Sequence, residues 1–244
     1  MAYSEMINGQ PVTAFIPARG GSKGIPGKNL RRLGNDTLLE RSIKQAKLCP
    51  FVENVVVSTD DNEMYAIAKN HAVETPELRP AFLADDQAKT IDVILYSLEE
   101  MGIDNGYILL LQTTSPLRTV EDINKLCETF EKRTNDAQAI VSVSAISSSH
   151  PDKMQKIEDG YLLSYLGKDS HVPRQSLPDV YELNGACYLT HIDILKNQRT
   201  FIPEKTIPFI MPVSRSINLD TMFDWYLLEK LIEEKVAHVE EYEI

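Results

Sequence analysis

The sequence predicts an α/β protein built on a doubly wound, mostly parallel sheet, and three observations carry that prediction. Strand-like and helix-like stretches alternate over the first 144 residues. The strand-like stretches, such as NVVVS and YILLL, are continuous apolar runs, which implies burial on both faces. Polar clusters follow them: ARGGSKG after the first, STDD after the next and QTTSPLR after YILLLQ. Helices on both faces of a parallel sheet satisfy the first two observations. Ligands in such sheets bind beyond the carboxyl ends of the strands, where the polar clusters fall.

Residues 12–17 are apolar and β-prone and feed the glycine-rich run ARGGSKGIPGKNL. Residues 37–48 form a predicted helix, with Thr37 and Glu40 at capping-box spacing and Leu38, Leu39, Ile43 and Ala46 on one face. A strand over 54–59 and a helix over 60–71 follow. An amphipathic helix over 91–101 ends at Gly102. Residues 107–112 form the most apolar strand. A helix over 119–132 is capped by Thr119 and Asp122, and a strand covers 139–143. After Ala145 the alternation breaks. Residues 146–190 mix polar, proline and aromatic positions without a long helix, and read as a β-hairpin insertion over the active-site mouth that can also serve as a dimer contact. Regular structure is expected to resume near 207–212, with a final helix over 221–236. The expected organisation is one domain over 1–244 carrying the 146–190 insertion.

A hydrophobic content of 43% supports a real core, and no repeat or low-complexity tract appears. The formal net charge of -11 argues against a nucleic-acid partner, although a local basic loop can still hold phosphate at short range. Cys49, Cys127 and Cys187 are widely spaced and odd in number, so a disulfide framework or zinc site is not expected. The start, MAYSEMINGQ, lacks secretory character, and no apolar run is long enough to span a bilayer. A soluble, cytoplasmic protein without a membrane partner is expected.

The glycine-rich loop is the central chemical signal. Gly20, Gly21, Gly24 and Gly27 permit tight turns that expose backbone N–H groups, and Arg19, Lys23 and Lys28 add three cations. After a first strand, such a loop suits a polyphosphate; the alternative is a flexible basic turn. GxxxxGK[ST] and GxGxxG are both absent, so neither a Walker loop nor a dinucleotide fingerprint is present, which disfavours an NAD(P)-linked oxidoreductase.

IPARGGSKGIPGKNL resembles the signature loop of the acylneuraminate cytidylyltransferases, the CMP-sialic acid synthetases. LLQTTSPLR resembles their second motif, usually LLQPTSPLR, with Thr113 in place of proline. RPAFLADD, PRQSLPDVYELNGACYL and SINLDT resemble further segments, in order, from Ile16 to about Trp225. The resemblance implies a nucleotide-diphospho-sugar transferase-like fold, a homodimer, and transfer of CMP from CTP to the anomeric hydroxyl of a sialic-acid-type nine-carbon acid sugar. LLQTTSPLR in place of VQGDEP disfavours an eight-carbon acid sugar. Another acid sugar, a sugar phosphate, or a CTP-binding protein with weakened catalysis remain as alternatives.

The resemblance also implies residue roles. Arg19, Ser22, Lys23, Lys28 and Asn29 would surround the CTP phosphates, with Arg19, Lys28, Asn29 and Asp220 catalytic. Arg79, Ala88 and Thr90 would hold the nucleoside. Gln112 would face the sugar, and Lys153, Arg174, Tyr181 and Asn184 would meet its carboxylate and substituents; a guanidinium suits a carboxylate through paired hydrogen bonds. Each has a plainer alternative: turns for Ser22 and Asn29, solvated surface for Arg79 and Lys153, structural bonding for Gln112. Relatives usually read DID where this chain has Asn218-Leu219-Asp220. Residues two apart on a strand share a face, so Asn218 and Asp220 can reach one Mg2+, with Asp224 as a helper. Otherwise Asp220 caps the last helix. Glu182 beside a carboxylate pocket would have to point away or meet a hydroxyl or amine.

Overall fold

Strand β1 (Val12–Pro17) is an internal strand of the main sheet, and its alternate side chains are buried on opposite faces. The structure is a computed structural model that describes residues 5–85, 87–146, 149–168 and 171–242. After β1 come the short antiparallel pair β2 (Arg32–Leu33) and β3 (Asp36–Thr37), helix α1 (Leu38–Leu48), β4 (Val52–Ser58), α2 (Asn62–Asn70) and α3 (Thr90–Glu100). Then follow β5 (Tyr107–Leu110), α4 (Val120–Glu131), β6 (Ala139–Ala145), and a hairpin of β7 (Gln155–Glu158) with β8 (Tyr161–Ser164). The chain continues with β9 (Tyr181–His191), α5 (Ile192–Gln198), β10 (Thr206–Met211) and α6 (Met222–Glu233).

The main sheet has the order β10-β6-β9-β5-β1-β4. β1 pairs in parallel with β4 and β5, and β10 with β6, while β9 runs antiparallel between β5 and β6. The strand order reverses at β1: the chain steps outward to β4 and then crosses to β5. That reversal opens a crevice at the carboxyl ends of β1 and β5. The glycine-rich loop leaves β1 at this point.

Apolar side chains explain both layers. Ala14, Ile16, Val57 and Leu109 pack with Leu39 and Ile43 of α1 and with Ile123, Leu126 and Phe130 of α4. On the other face, Phe15, Val56, Ile108 and Leu110 pack with Val93, Ile94 and Leu98 of α3 and Ile192 and Leu195 of α5. Both predicted capping boxes are formed, Thr37 with Glu40 and Thr119 with Asp122, satisfying amides that the first helical turn leaves open. Gly102, at φ +65°, stops α3 as predicted.

One expectation changes. Regular structure resumes at Tyr181, not near residue 207, because β9 joins the main sheet and α5 follows it. The hairpin itself occupies Gln155–Ser164. The run YELNGACYLTH hides its strand character behind Glu182, Asn184 and Gly185. Asn184 and Gly185 are absorbed where the β6–β9 register breaks, between Val141 and Val143, while Glu182 stays exposed. There the Ser142 hydroxyl donates to Asn184 Oδ1 at 2.7 Å and accepts from the Cys187 amide at 2.8 Å.

Candidate active site

The glycine-rich loop is held open by anchors at several points. Ile25 is fully buried against Leu33, Leu38, Leu117, Leu219, Trp225 and Leu228. Burying a side chain of that size contributes about 1.5–3 kcal/mol, enough to pin an otherwise polar loop. The Gly20 amide donates to Asp60 Oδ1 at 2.9 Å. Gly24 passes so close to the 218–220 segment that a Cβ would lie 1.8 Å from the Asp220 carbonyl oxygen.

The 218–220 segment is set by its middle residue. Leu219 is fully buried, its amide donates to the Thr114 carbonyl at 2.9 Å, and its carbonyl accepts from Lys28 Nζ at 2.8 Å. With Leu219 turned into the core, Asn218 and Asp220 both line the crevice, and Asn218 Nδ2 donates to Asp220 Oδ2 at 2.7 Å. The shared face expected from their spacing is present, although no strand ladder forms there. Asp220 does not cap α6. Thr221 and Asp224 do, in a capping box, and Asp224 Oδ2 accepts from the Thr221 and Asp220 amides. Burial pushes the Asp224 carboxyl up, but these hydrogen bonds outweigh it and hold it below its usual range.

The resulting cavity, about 320 Å³, sits at the carboxyl ends of β1 and β5. Arg19, Lys28 and Asn29 line it from the glycine loop, and Asn218 and Asp220 from the opposite wall. Arg79, Ala88 and Thr90 line it from the segment entering α3, and Gln112 from the end of β5. Nine side chains that the sequence singled out thus meet in one crevice. Pro17, Leu83, Asp85, Val93, Thr113 and Thr114 complete the lining. Leu83 and Asp85 belong to RPAFLADD, and Thr113 and Thr114 to LLQTTSPLR, so those segments carried a signal that had not been resolved to these residues.

Electrostatically the crevice is cationic on the loop side. Burial lowers the Lys28 pKa; Asp220 acts against that shift and Arg19 adds to it. Burial likewise lowers Arg79, with Asp60 opposing. Arg79 is braced by the protein: Nη2 donates to the Ser58 carbonyl at 2.6 Å and Nε to Ser58 Oγ at 3.3 Å. Arg19 Nη1 donates to the Asp85 carbonyl at 3.3 Å, and the Asp85 carboxylate accepts from the Gln87 and Ala88 amides.

Other predicted residues lie elsewhere. Ser22 and Lys23 are in the loop but outside the cavity lining. Lys153, Arg174 and Tyr181 are exposed around the hairpin and do not line the crevice of their own chain. Asn184 is only 2% exposed and outside the cavity lining; its amide meets Ser142, Ser216, Met211 and the Ala186 amide, filling the β6–β9 irregularity. Glu182 pairs in register with Ser144 at the exposed start of β9.

Arg118, the last residue of LLQTTSPLR, is fully buried beneath the site. It donates to the Gln112 and Ala186 carbonyls, to Gln45 Oε1 and to Ser42 Oγ. The motif's arginine therefore fastens β5, β9 and α1 together under the crevice floor.

Residues 13–237 match the cytidylyltransferase family. The chain is 35% identical over 228 residues to the CMP-N,N'-diacetyllegionaminic acid synthase of Legionella pneumophila, covering 91% of this chain and 96% of that protein. It is 30% identical over 242 residues to the N-acylneuraminate cytidylyltransferase of Streptococcus agalactiae, covering 93% of this chain and 57% of that protein. Among solved structures, CMP:2-keto-3-deoxy-manno-octonic acid synthetase complexed with CTP superposes with a TM-score of 0.67 at 17% identity, covering 92% of this chain and 99% of that one. The last likeness bears on the fold alone.

Proposed function

The chain belongs to the cytidylyltransferase family, and from that premise we propose that it transfers CMP from CTP to the anomeric hydroxyl of a sialic-acid-type nine-carbon acid sugar, releasing pyrophosphate. The observation that carries the reading is the crevice at the β1 strand-order reversal, where Arg19, Lys28 and Arg79 face Asn218 and Asp220.

In this reading the triphosphate lies along the glycine loop and the nucleoside between Arg79, Ala88 and Thr90. The hydroxyl oxygen attacks the α-phosphorus, its proton departs to solvent or base, and the bond to the β-phosphate oxygen breaks. Arg19 and Lys28 offset the charge that builds on the transferring group and on pyrophosphate. Lowering of the Lys28 pKa by burial favours a partner that restores a counter-charge, as a phosphate does. Positioning supplies much of the remaining rate.

Asp220 and Asn218 suit Mg2+. The Asp220 carboxylate has the Asn218 side-chain amide beside it, with Nδ2 donating to Oδ2, and an ion there would take the Asp220 oxygens and, with the amide turned over, the Asn218 oxygen. Magnesium is commonly held by one or two such groups with phosphate oxygens and water. When bound, the ion would neutralise phosphate charge and lower the pKa of a coordinated oxygen acid. Asn218 brings no charge, so this chain would hold the ion more weakly than a two-aspartate site.

A second cleft of about 550 Å³ shares Ala88, Thr90 and Gln112 with the first and continues along Leu110, Tyr188 and Phe201. We place the acid sugar there, with Gln112 between the two substrates. Ile157, Tyr161 and Leu162 on the hairpin are between 69% and 79% exposed, which suits a second copy of this chain as cover. In such a homodimer the exposed Lys153, Arg174 and Tyr181, which flank the hairpin in sequence, would approach a partner's sugar cleft. Among the described residues no helix is long and apolar enough to cross a membrane, and we place the reaction in the cytoplasm.

The test is pyrophosphate release from CTP with legionaminic, neuraminic and pseudaminic acids in the presence of Mg2+. Turnover with one of them is expected. Release with none would end the nine-carbon reading. CTP binding by calorimetry without turnover would favour a binding protein with weakened catalysis, the reading Asn218 keeps open.

A further inference from the structure

Thr113 occupies the position at which the related motif usually carries proline, and in this chain it makes a contact proline cannot make. Its hydroxyl donates to Asn29 Oδ1 at 2.6 Å. Asn29 Nδ2 in turn donates to the Arg19 carbonyl at 2.9 Å. Thr113 is 4% exposed and Asn29 6%, so water does not compete well for either group. Arg19 and Asn29 stand at the entry and exit of the glycine loop, and the Asn29 amide ties one to the other across the loop's neck.

The peptide unit held by this relay is gripped on both edges. Its oxygen, the Arg19 carbonyl, accepts from Asn29, and its nitrogen, the Gly20 amide, donates to Asp60 Oδ1 at 2.9 Å. A peptide plane fixed at both polar atoms cannot rotate without breaking two half-buried hydrogen bonds. Its orientation sets where Arg19 departs from the chain and how the following glycine amides are presented. Asp60 reaches the plane from beyond the end of β4, and Thr113 acts on it through Asn29 from beyond the end of β5, so the strands on either side of β1 both contribute to the clamp.

We propose that Thr113 is a positioning residue for the nucleotide: acting through Asn29, it locks the Arg19–Gly20 peptide and shapes the phosphate loop before CTP arrives. The role rests on the reading of this loop as the CTP site. Thr113 need not touch the substrate. Its contribution is pre-organisation, which lowers the ordering cost that binding would otherwise bear.

Thr113→Val keeps the shape and removes the hydroxyl; Thr113→Ser keeps the hydroxyl. Loss of one buried hydrogen bond predicts CTP binding weaker by about five- to tenfold in Thr113→Val, measured by calorimetry, and a matching rise in KM for CTP with kcat within about twofold. Thr113→Ser should lie near the parent protein. In Thr113→Val/Asn29→Ala, binding should be no weaker than in Asn29→Ala alone, because both changes break one relay. Amide hydrogen exchange of the unliganded protein reads the clamp without CTP: the Gly20 and Gly21 amides should exchange faster in Thr113→Val and not in Thr113→Ser. Unchanged exchange, unchanged CTP affinity, or additive losses in the double variant would each overturn the relay. Faster exchange in a protein that binds no CTP at all would remove the CTP-site reading and the nucleotide-positioning role with it, while leaving the clamp as a structural fact.

Discussion

Gly24→Ala is the most direct probe of how the loop and the acidic wall fit together. The added methyl would start 1.8 Å from the Asp220 carbonyl oxygen and 3.0 Å from its carbon, and both are backbone atoms that no rotamer change can move aside. Since real Cβ atoms essentially never come within 3.0 Å of another heavy atom, the loop and the 218–220 segment must part by at least about 1.2 Å. Displacing catalytic groups by about 1 Å can cost on the order of 10²-fold in rate, and overpacking of this kind costs about 1–3 kcal/mol in stability. The assay is pyrophosphate release with CTP and the preferred acid sugar, beside thermal unfolding. The same methyl at Gly21 meets nothing within 4 Å, so Gly21→Ala should lose far less activity, on the order of tenfold at most. Equal activities in the two variants, or an undiminished rate in Gly24→Ala, would refute the claim that this close approach registers the loop against Asp220.

Three further outcomes follow from the same geometry. Asn218→Asp removes the amide donor to Asp220 and adds a carboxylate, so half-maximal activity should need less Mg2+; an unchanged Mg2+ titration would take Asn218 out of the ion's shell. Because burial lowers the Lys28 pKa, the charged amine opposes folding at neutral pH, and that opposition lifts as pH rises through the folded-state pKa. CTP affinity should correspondingly begin to fall at a pH below the ordinary lysine value of 10.5, and Lys28→Arg should move that decline upward; identical alkaline limbs would exclude Lys28 as its source. Arg118→Met leaves the Gln112 and Ala186 carbonyls and the Gln45 amide oxygen without a buried donor, and should cost about 3–5 kcal/mol in urea unfolding, against less than about 0.5 kcal/mol if the guanidinium were dispensable.

The elements that could be read along the chain were those whose signal is local. Capping boxes at Thr37 and Thr119 involve residues three apart, and the apolar runs of β4 and β5 announce burial on both faces by composition alone. β9 was obscured for the opposite reason. Its buried Asn184 is satisfied by Ser142, Ser216 and Met211, partners between 27 and 42 positions away, so its sequence resembles a loop until those partners are in place. Motif position alone gives no sign that Asn184 also fills the irregularity between β6 and β9.

The amino-acid sequence by itself determined the α/β alternation, the glycine-rich basic loop after the first strand, and the membership of the chain in a nucleotide-transferring family, because each is written in neighbouring residues or in ordered motifs. Only the tertiary structure decided which residues share the crevice, that Leu219 turns Asn218 and Asp220 toward Lys28, and that Thr113 reaches Asn29 across 84 positions. Such contacts depend on where strand ends converge in the sheet. Convergence is a property of strand order, which reverses at β1 and which no stretch of sequence carries on its own.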